Sequence, residues 1–480
     1  MMAGNYKRAA LGLIGFVPEV NQGYSPFEQS SKSSGNTTTS LKVEVTSSTS
    51  DLYPADLADA TARQNYLADY FNGLSVYLPD SEEHAYITDT AYVEASTELT
   101  LTITPALAAA RNSATFYIFG RLPATSDFTI GKENLSRLDF RRGSWTPPSN
   151  LKGLSQVEGS LESEILGLET PIAGTGGTPT LDRYSHLLAA IGTRSAHASD
   201  SVGSGSTTTT INLSTSEANV FSAGDAVLIE GQVAYVTEAT ESPSGDTIVI
   251  SPPLSSTPTS GEDFHAGEKF TPDDTGQLSL TVVELIDDQL FQHKGCVINL
   301  SLASQFSQTL TLTVEATGED FALTDSFSIA GNIPLASKNT TPPAPIKFVQ
   351  GRAFFGTTEL DVSNVDFNYN IERSVVRDTG DADTASQTVI VTGRAASAGV
   401  SFRNKAKTFK DTTEANGTQS RLLLQFGAEA GNAIAIIGNA QPSDPATYGD
   451  NEGISTYDAT FAFVDDEVAT SYNKAFFYRF

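Results

Sequence analysis

Hydrophobic positions along this chain recur mostly at every second residue, in short stretches broken by turn formers. ELTLTITP (98–105) alternates strictly, and ATFYIFG (114–120) is more continuously apolar. A period of two puts successive side chains on opposite faces of a sheet, so both stretches predict strands. VEGSLESEILG (157–167) predicts another. After a loop, LDRYSHLLAAIG (181–192) predicts a short helix, and LSLTVVEL (278–285) and CVINLSLA (296–303) return to strand. The last third repeats the theme. QTVIVTGRAASAGVSF (387–402) predicts a strand pair, KAKTFKDTTEANG (405–417) a short helix, and RLLLQF (421–426) and AIAIIG (433–438) strands. A chain that repeats a sheet-plus-helix unit offers two equivalent surfaces, which is what a ring or tube needs.

One further helix is predicted before this. Ser50 or Asp51 can cap it, Pro54 suits its first turn and Gly73 stops it. Leu57, Ala60, Gln64, Leu67 and Phe71 fall on one face, a stripe expected in the core. Residues 18–49 are polar and Ser/Thr-rich, which predicts an extended or flexible arm that packs on a neighbouring subunit. Lys7 and Arg8 before AALGLIGFV (9–17) loosely resemble a signal peptide, but Pro18 ends the short apolar run and no small-x-small cleavage site follows.

The expected organisation is an N-terminal arm (1–49), a first domain (50–192 with 273–336), an inserted β module (193–272) and a second domain (341–480). SDSVGSGSTTTT opens the insert as a low-complexity linker, and SKNTTPPAP (337–345) separates the two units. Within the insert, AVLIE (226–230) and VAYVTE (233–238) flank Gly231 and Gln232, a hairpin signal. The module is expected to leave the surface between the helix at 181–192 and the strand at 278–285. STYDATFAFV (455–464) and KAFFYRF (474–480) pair the end of the chain into a sheet. The fold class expected is mainly β, with two sandwich or barrel domains, each with a short flanking helix.

Charge narrows the partners. The formal net charge is −28, from 29 Lys and Arg against 57 Asp and Glu. Such a surface repels nucleic acid and anionic membranes. It serves solubility, and it also suits a surface that must stay near DNA without sticking to it. No apolar stretch approaches membrane-spanning length. Cys296 is the only cysteine, so no intrachain disulfide forms; following Gly295 at a strand start, it is expected as a small core residue. Trp145, within SWTPPSN (144–150) and beside its paired prolines, is expected to anchor a loop.

Catalytic and metal chemistry is not expected. His84, His186, His197, His265 and His293 show no metal-ligand spacing. GRAASAG (393–399) lacks the nucleophile-elbow spacing, and neither a Walker-type loop nor GxGxxG occurs. Asp-Thr-Gly stands twice, at 274–276 and 378–380, as an aspartic protease requires of its two lobes. Asp273, Arg377 and Asp381 flank the triplets where an apolar strand should bury the acid, so both are expected as solvated turns. Asp378, Asp381 and Asp383 lack the EF-hand pattern and read as another such turn, as does TYGDNEG (447–453). No catalytic, cofactor or metal residue is assigned.

VEGSLESEILG, its Gly/Thr/Pro loop and YSHLLAAIG resemble the core of tailed-bacteriophage tail tube proteins. HKGCVINLSLA (293–303) leading into LTLTVEATGE (310–319) does too. So do TASQTVIVTGRAASAGVSF and GNAIAIIGNAQPSDPATYGDNEGISTYDATFAFV (431–464) in the second unit. The resemblance covers roughly 150–192 and 275–480 and rests on strand-and-turn order. It implies tube domains whose rings close an inner β-barrel and stack into a tube in the virion tail, made in the host cytoplasm. The implied partners are further copies of the chain, three or six to a ring, and tail proteins such as the tape measure and terminator. DNA passes through without binding, and no membrane is involved. The competing expectation is a virion-surface or extracellular β-rich adhesin.

Overall fold

The computed structural model describes residues 14–45, 52–54, 57, 59–135, 151–168, 181–214, 221–241, 245–272, 278–286, 289–324, 343–349, 351–378, 386–403, 417–443, 447–451, 454–464 and 475–480. It is mainly β, with two α-helices among these residues.

One strand organises the rest. Gln289–Gln305 serves two sheets. Its first half lies between Leu280–Ile286 and Asp320–Thr324. Its second half lies between Thr311–Gly318 and Val362–Asn368. The change of partners falls at Gly295, whose φ of +63° suits glycine. The register against Leu280–Ile286 shifts at the same place, where Leu280 faces Cys296 but Val282 faces His293.

The second half belongs to a long antiparallel sheet. Its order is Ala124–Leu135, Leu151–Glu164, Thr311–Gly318, the central strand, Val362–Asn368, Ser397–Phe402 and Ile454–Phe463. The far edge of Ile454–Phe463 is shared by Thr447–Asn451 and Asn432–Pro442. Every second residue points into one core: Leu161, Leu312 and Val314, Ile298 and Leu300, Val365 and Phe367, Ala398 and Val400, Ala459 and Phe461. Residues on both sides of the predicted linker thus share one sheet and one core. Of that linker, 337–342 fall outside the described residues, and Pro345 bridges to Leu166. The predicted strands at 387–402 form, but not as a pair. Ser386–Arg394 pairs with Ile371–Asp378, whereas Ser397–Phe402 pairs with Val362–Asn368 and Ile454–Phe463. The helix predicted at 405–417 falls almost wholly outside the described residues, as does Trp145.

Residues 14–45 are not the flexible arm expected. Ile14–Pro18 pairs with Leu280–Glu284, and its Gly15 and Phe16 also reach Arg121 and Gly120. Glu28–Ser30 and Ser40–Glu44 are the outer strands of an N-terminal sheet that includes Thr115–Arg121, Ser75–Leu78, Glu83–Val93 and Glu98–Thr104 and joins the rest through Ile14–Pro18. Leu41, Val43 and Val45 alternate inward beneath the Ser/Thr-rich text. The preceding helix is shorter than expected, Ala60–Leu67, and is capped by Asp59 rather than Ser50 or Asp51. Leu67 and Phe71 are buried, but Ala60 is exposed. After the helix the chain turns at Asp69 and Gly73, both at positive φ.

The insert is a closed barrel. Its strands run in the order Asp200–Ser201, Asp263–His265, Ala226–Ile229, Gln232–Thr240, Thr247–Ser251 and Thr210–Asn212. A bridge between Val202 and Leu213 joins the first to the last. The predicted linker at 199–210 therefore carries the strand Asp200–Ser201 and the first residue of Thr210–Asn212. The hairpin turn is Glu230–Gly231, both at positive φ, while Gln232 pairs with Ile229. The barrel does not stand clear of the body. Ala226, Leu228, Val233 and Tyr235 pack against Leu423, Ala435, Ile437, Phe476 and Tyr478. Buried Gln425 accepts a hydrogen bond from Val233 N (2.9 Å) and donates to Gly231 O (2.8 Å).

Phe476–Arg479 pairs with both Asn432–Pro442 and Glu268–Pro272. Arg479 is 1% exposed and bonds Asp182 at 2.7 Å and Glu268 at 3.3 Å. Asp182 caps the helix Arg183–Ala189, and Glu268 also takes Arg194 and Ser185. Removing one partner of a buried ion pair strands the other without water. Arg479→Ala is therefore expected to cost about 3–5 kcal/mol, read as a lower urea midpoint.

Candidate functional site

The long sheet has a second face, and the strand register shows what it displays. One row across it reads Thr125, Glu162, Thr313, Ser301, Asn368, Ser397 and Ala462. The next reads Glu164, Thr311, Ala303, Asp366, Gly399 and Thr460. A third reads Gln305, Asn364, Ser401, Asp458 and Thr447. On the other side lie Asp127, Ser160, Glu315 and Asn299. These positions carry carboxylates, hydroxyls, amides and small residues, and neither lysine nor arginine. Asp127, Glu162, Glu164, Glu315, Asp366 and Thr460 are exposed. The face is thus smooth, hydrated and negative. Arg373 reaches its margin from a neighbouring ribbon, where it donates to the carbonyls of Val297 (3.3 Å) and Glu315 (2.7 Å).

Each end of this strand order carries one strand with an open edge, although Asn432–Pro442 takes the rest of the Ile454–Phe463 edge. Ala124–Leu135 pairs only with Leu151–Glu164, and Thr447–Asn451 only with Ile454–Phe463, among the described residues. An unpaired strand edge is a row of donors and acceptors ready for another chain. Two such edges at opposite ends of one sheet are complementary in kind.

Among the described residues, the titratable residues singled out in the sequence do not gather into a reactive site. His186 Nε2 donates to Asn72 O (2.6 Å), and burial lowers the His186 pKa to about 4. His293 meets Glu284 at 2.8 Å, both buried, and stacks on Phe128 at 4.5 Å between centroids. His197 lies near Phe221, and burial lowers the pKa of His265. Cys296 is fully buried, and desolvation pushes its thiol pKa up. Asp378 ends a strand opposite Ser386. Asp274, Asp381 and Asp383 lie outside the described residues, and of the two Asp-Thr-Gly triplets only Asp378 falls within them. Thr447–Asn451, expected as part of a turn, is a strand. Among the described residues no three His, Cys, Asp or Glu side chains are grouped to hold a metal. A surface cavity of about 300 Å³ is lined by Phe306, Phe348, Arg352, Glu359 and Asp361.

Residue-by-residue reading missed the buried acids. Glu19 accepts from Gly23 N (2.8 Å), Ser279 Oγ (2.7 Å), Thr281 Oγ1 (2.5 Å) and Gly295 N (2.9 Å). Its four donors come from three separate segments, a set that no local spacing announces. The outward face left a clearer signal in GSLESE and TLTVEATG, where acids and Thr alternate with apolar residues.

The chain matches no protein-family model, and a search of curated proteins finds no similar sequence.

The exposed acids on the sheet carry little of the folding energy, because they keep their water. Glu162→Lys and Asp366→Lys are each expected to change stability by no more than about 0.5 kcal/mol. A thermal-melt comparison with the parent chain checks this.

Proposed function

We propose that this protein is a structural subunit that joins head to tail into rings and stacks into a tube, the tail tube of a tailed bacteriophage. The observation that carries the reading is the acidic, small-residue sheet face with an open strand at each end. Pairing Thr447–Asn451 of one copy with Ala124–Leu135 of the next would remove both edges and extend the face around a ring. Turned inward, that face would repel the phosphate backbone and let DNA slide. A basic face would hold the DNA by releasing its counterions.

Strand count bears on the number of copies. The face spans eight strands per chain, from Ala124–Leu135 to Thr447–Asn451. Three chains give a barrel of about 24 strands and six give about 48. At about 4.8 Å between strands and a tilt of about 40°, the backbone diameters are about 48 Å and about 96 Å. The smaller ring leaves a bore suited to a duplex about 20 Å across after side chains are added. The trimer is therefore the proposed ring, with other tail proteins at its ends and the virion tail as its location. The barrel Asp200–His265 and the N-terminal sheet would then face outward or toward adjacent rings.

Negative-stain microscopy of the purified protein tests the reading. Hollow rings or tubes with threefold averages are expected. A protein that stays monomeric by analytical ultracentrifugation up to about millimolar concentration, where even weak self-association of about 4 kcal/mol would show, overturns it.

A further inference from the structure

Val362–Asn368 and Ser397–Phe402 are neighbours in the long sheet, and a two-stranded ribbon joins them, Ile371–Asp378 with Ser386–Arg394. In register, Ile371–Asp378 would continue along the central strand, but Leu280–Ile286 already occupies that edge. The ribbon leaves the sheet at Asn370, at a φ of +48°. It forms a sheet of its own with no third strand among the described residues. Val376 and Ile390 on its outer side are 46% and 43% exposed, while Val389 beneath is 2% exposed.

Polar ties hold the underside. Ile371 N donates to Asn299 Oδ1 at 3.0 Å, and Arg373 donates to the Val297 and Glu315 carbonyls. Val389 is held on both its backbone groups. Its N–H donates to Glu319 Oε1 at 3.2 Å, and its carbonyl accepts from Gln22 Nε2 at 2.9 Å. Gln22 belongs to a turn closed by Tyr24 N donating to Asn21 O, and Glu19 accepts from Gly23 in the same turn. Glu319 is wedged between two glycines. A Cβ on Gly23 would lie 2.7 Å from its Oε2, and one on Gly295 would lie 2.6 Å from its Cγ. Glu19, held by Gly295 N and Gly23 N, flanks it.

We infer that Glu319 is a proton-operated clasp: its neutral carboxyl lets the ribbon and the Asn21–Tyr24 turn close over it, and its ionised carboxylate loosens them. The charges around it set the direction. Glu19 faces it from the N-terminal segment, and Asp320 follows it and pairs in register with Lys294. From the central strand Cys296 feels its charge, and the ribbon's nearby cation, Arg373, is bonded to Glu315. Burial raises the Glu319 pKa to about 7; hydrogen bonds from Val389 and Gln22 oppose this, and Glu19 and Asp320 add to it. Because the closed-state value lies above the ordinary one, closure is strongest below the usual carboxyl range and weakens as pH rises through about 7. This inference stands apart from the tube reading, since the clasp is complete within one chain.

Hydrogen exchange on the full-length chain at pH 6 and pH 8.5, corrected for intrinsic exchange rates, tests it at 386–394. Protection there is expected to fall about tenfold at the higher pH. Amides of Leu422–Phe426, remote from the clasp, should hold steady. Glu319→Gln, which stays neutral, should keep the ribbon protected at both pH values. Equal protection of the parent chain at the two pH values overturns the clasp, as does an unchanged pH response in Glu319→Gln. If Glu319→Gln fails to fold, Gln22→Ala decides. It removes the other tie on Val389 together with a donor to Glu319, so protection should fall at both pH values and still be lower at pH 8.5 than at pH 6; full protection in it counts against the clasp.

Discussion

The structure depends on one strand keeping its direction while changing its company. Gln289–Gln305 gives its first half to the sheet that receives Ile14–Pro18 and its second half to the long polar-faced sheet. The transition is fixed at Gly295, where a side chain would strike Glu319 and the backbone N–H is taken by Glu19. A buried carboxylate without donors would be costly, but Glu19 has four. Those donors come from the Gly23 turn, from Ser279 and Thr281, and from the central strand. The acid therefore positions three segments at once, and the N-terminal sheet inherits its place from them.

Much of the β-structure was legible because alternation is a local signal. Leu99, Leu101 and Ile103 lie inward as the text of 98–105 implies, and so do Leu422, Leu424, Ile434 and Ile436. Pairing was not legible. Val389 and Val400 belong to adjacent strands in sequence, yet they pair with different neighbours because the edge beside the central strand is already filled. The 199–210 stretch read as a linker because Ser, Thr and Gly dominate it, but Val202 within it and Ile211 just after it are enough to seat two short strands in a barrel core. The N-terminal stretch misled in the same way, since Leu41 and Val43 are sparse among polar neighbours.

The candidate surface was visible only in half-measure. Acids and threonines at alternate positions in 157–164 and 311–318 show that one side of each strand meets water. That these sides line up across seven strands follows from long-range register, which no single stretch encodes. The overall charge of −28 gave the sign of the surface but not its location. The buried ions were the least visible feature. Arg479, Asp182 and Glu268 are far apart in the chain, and their residue types are those usually found in solvent.

The barrel's attachment has its own consequence. Its two stems, Gly192–Ala196 and Glu268–Pro272, lie side by side as paired strands, so the whole module hangs from a doorway one strand spacing wide. Such a doorway lets a domain be gained or lost without redirecting the chain on either side. Yet the barrel has become a roof as well as a passenger, because Leu423, Ile437 and Phe476 are sealed beneath it. Deleting the barrel would therefore bare an apolar patch on the body, and only polar replacements there would keep it hydrated.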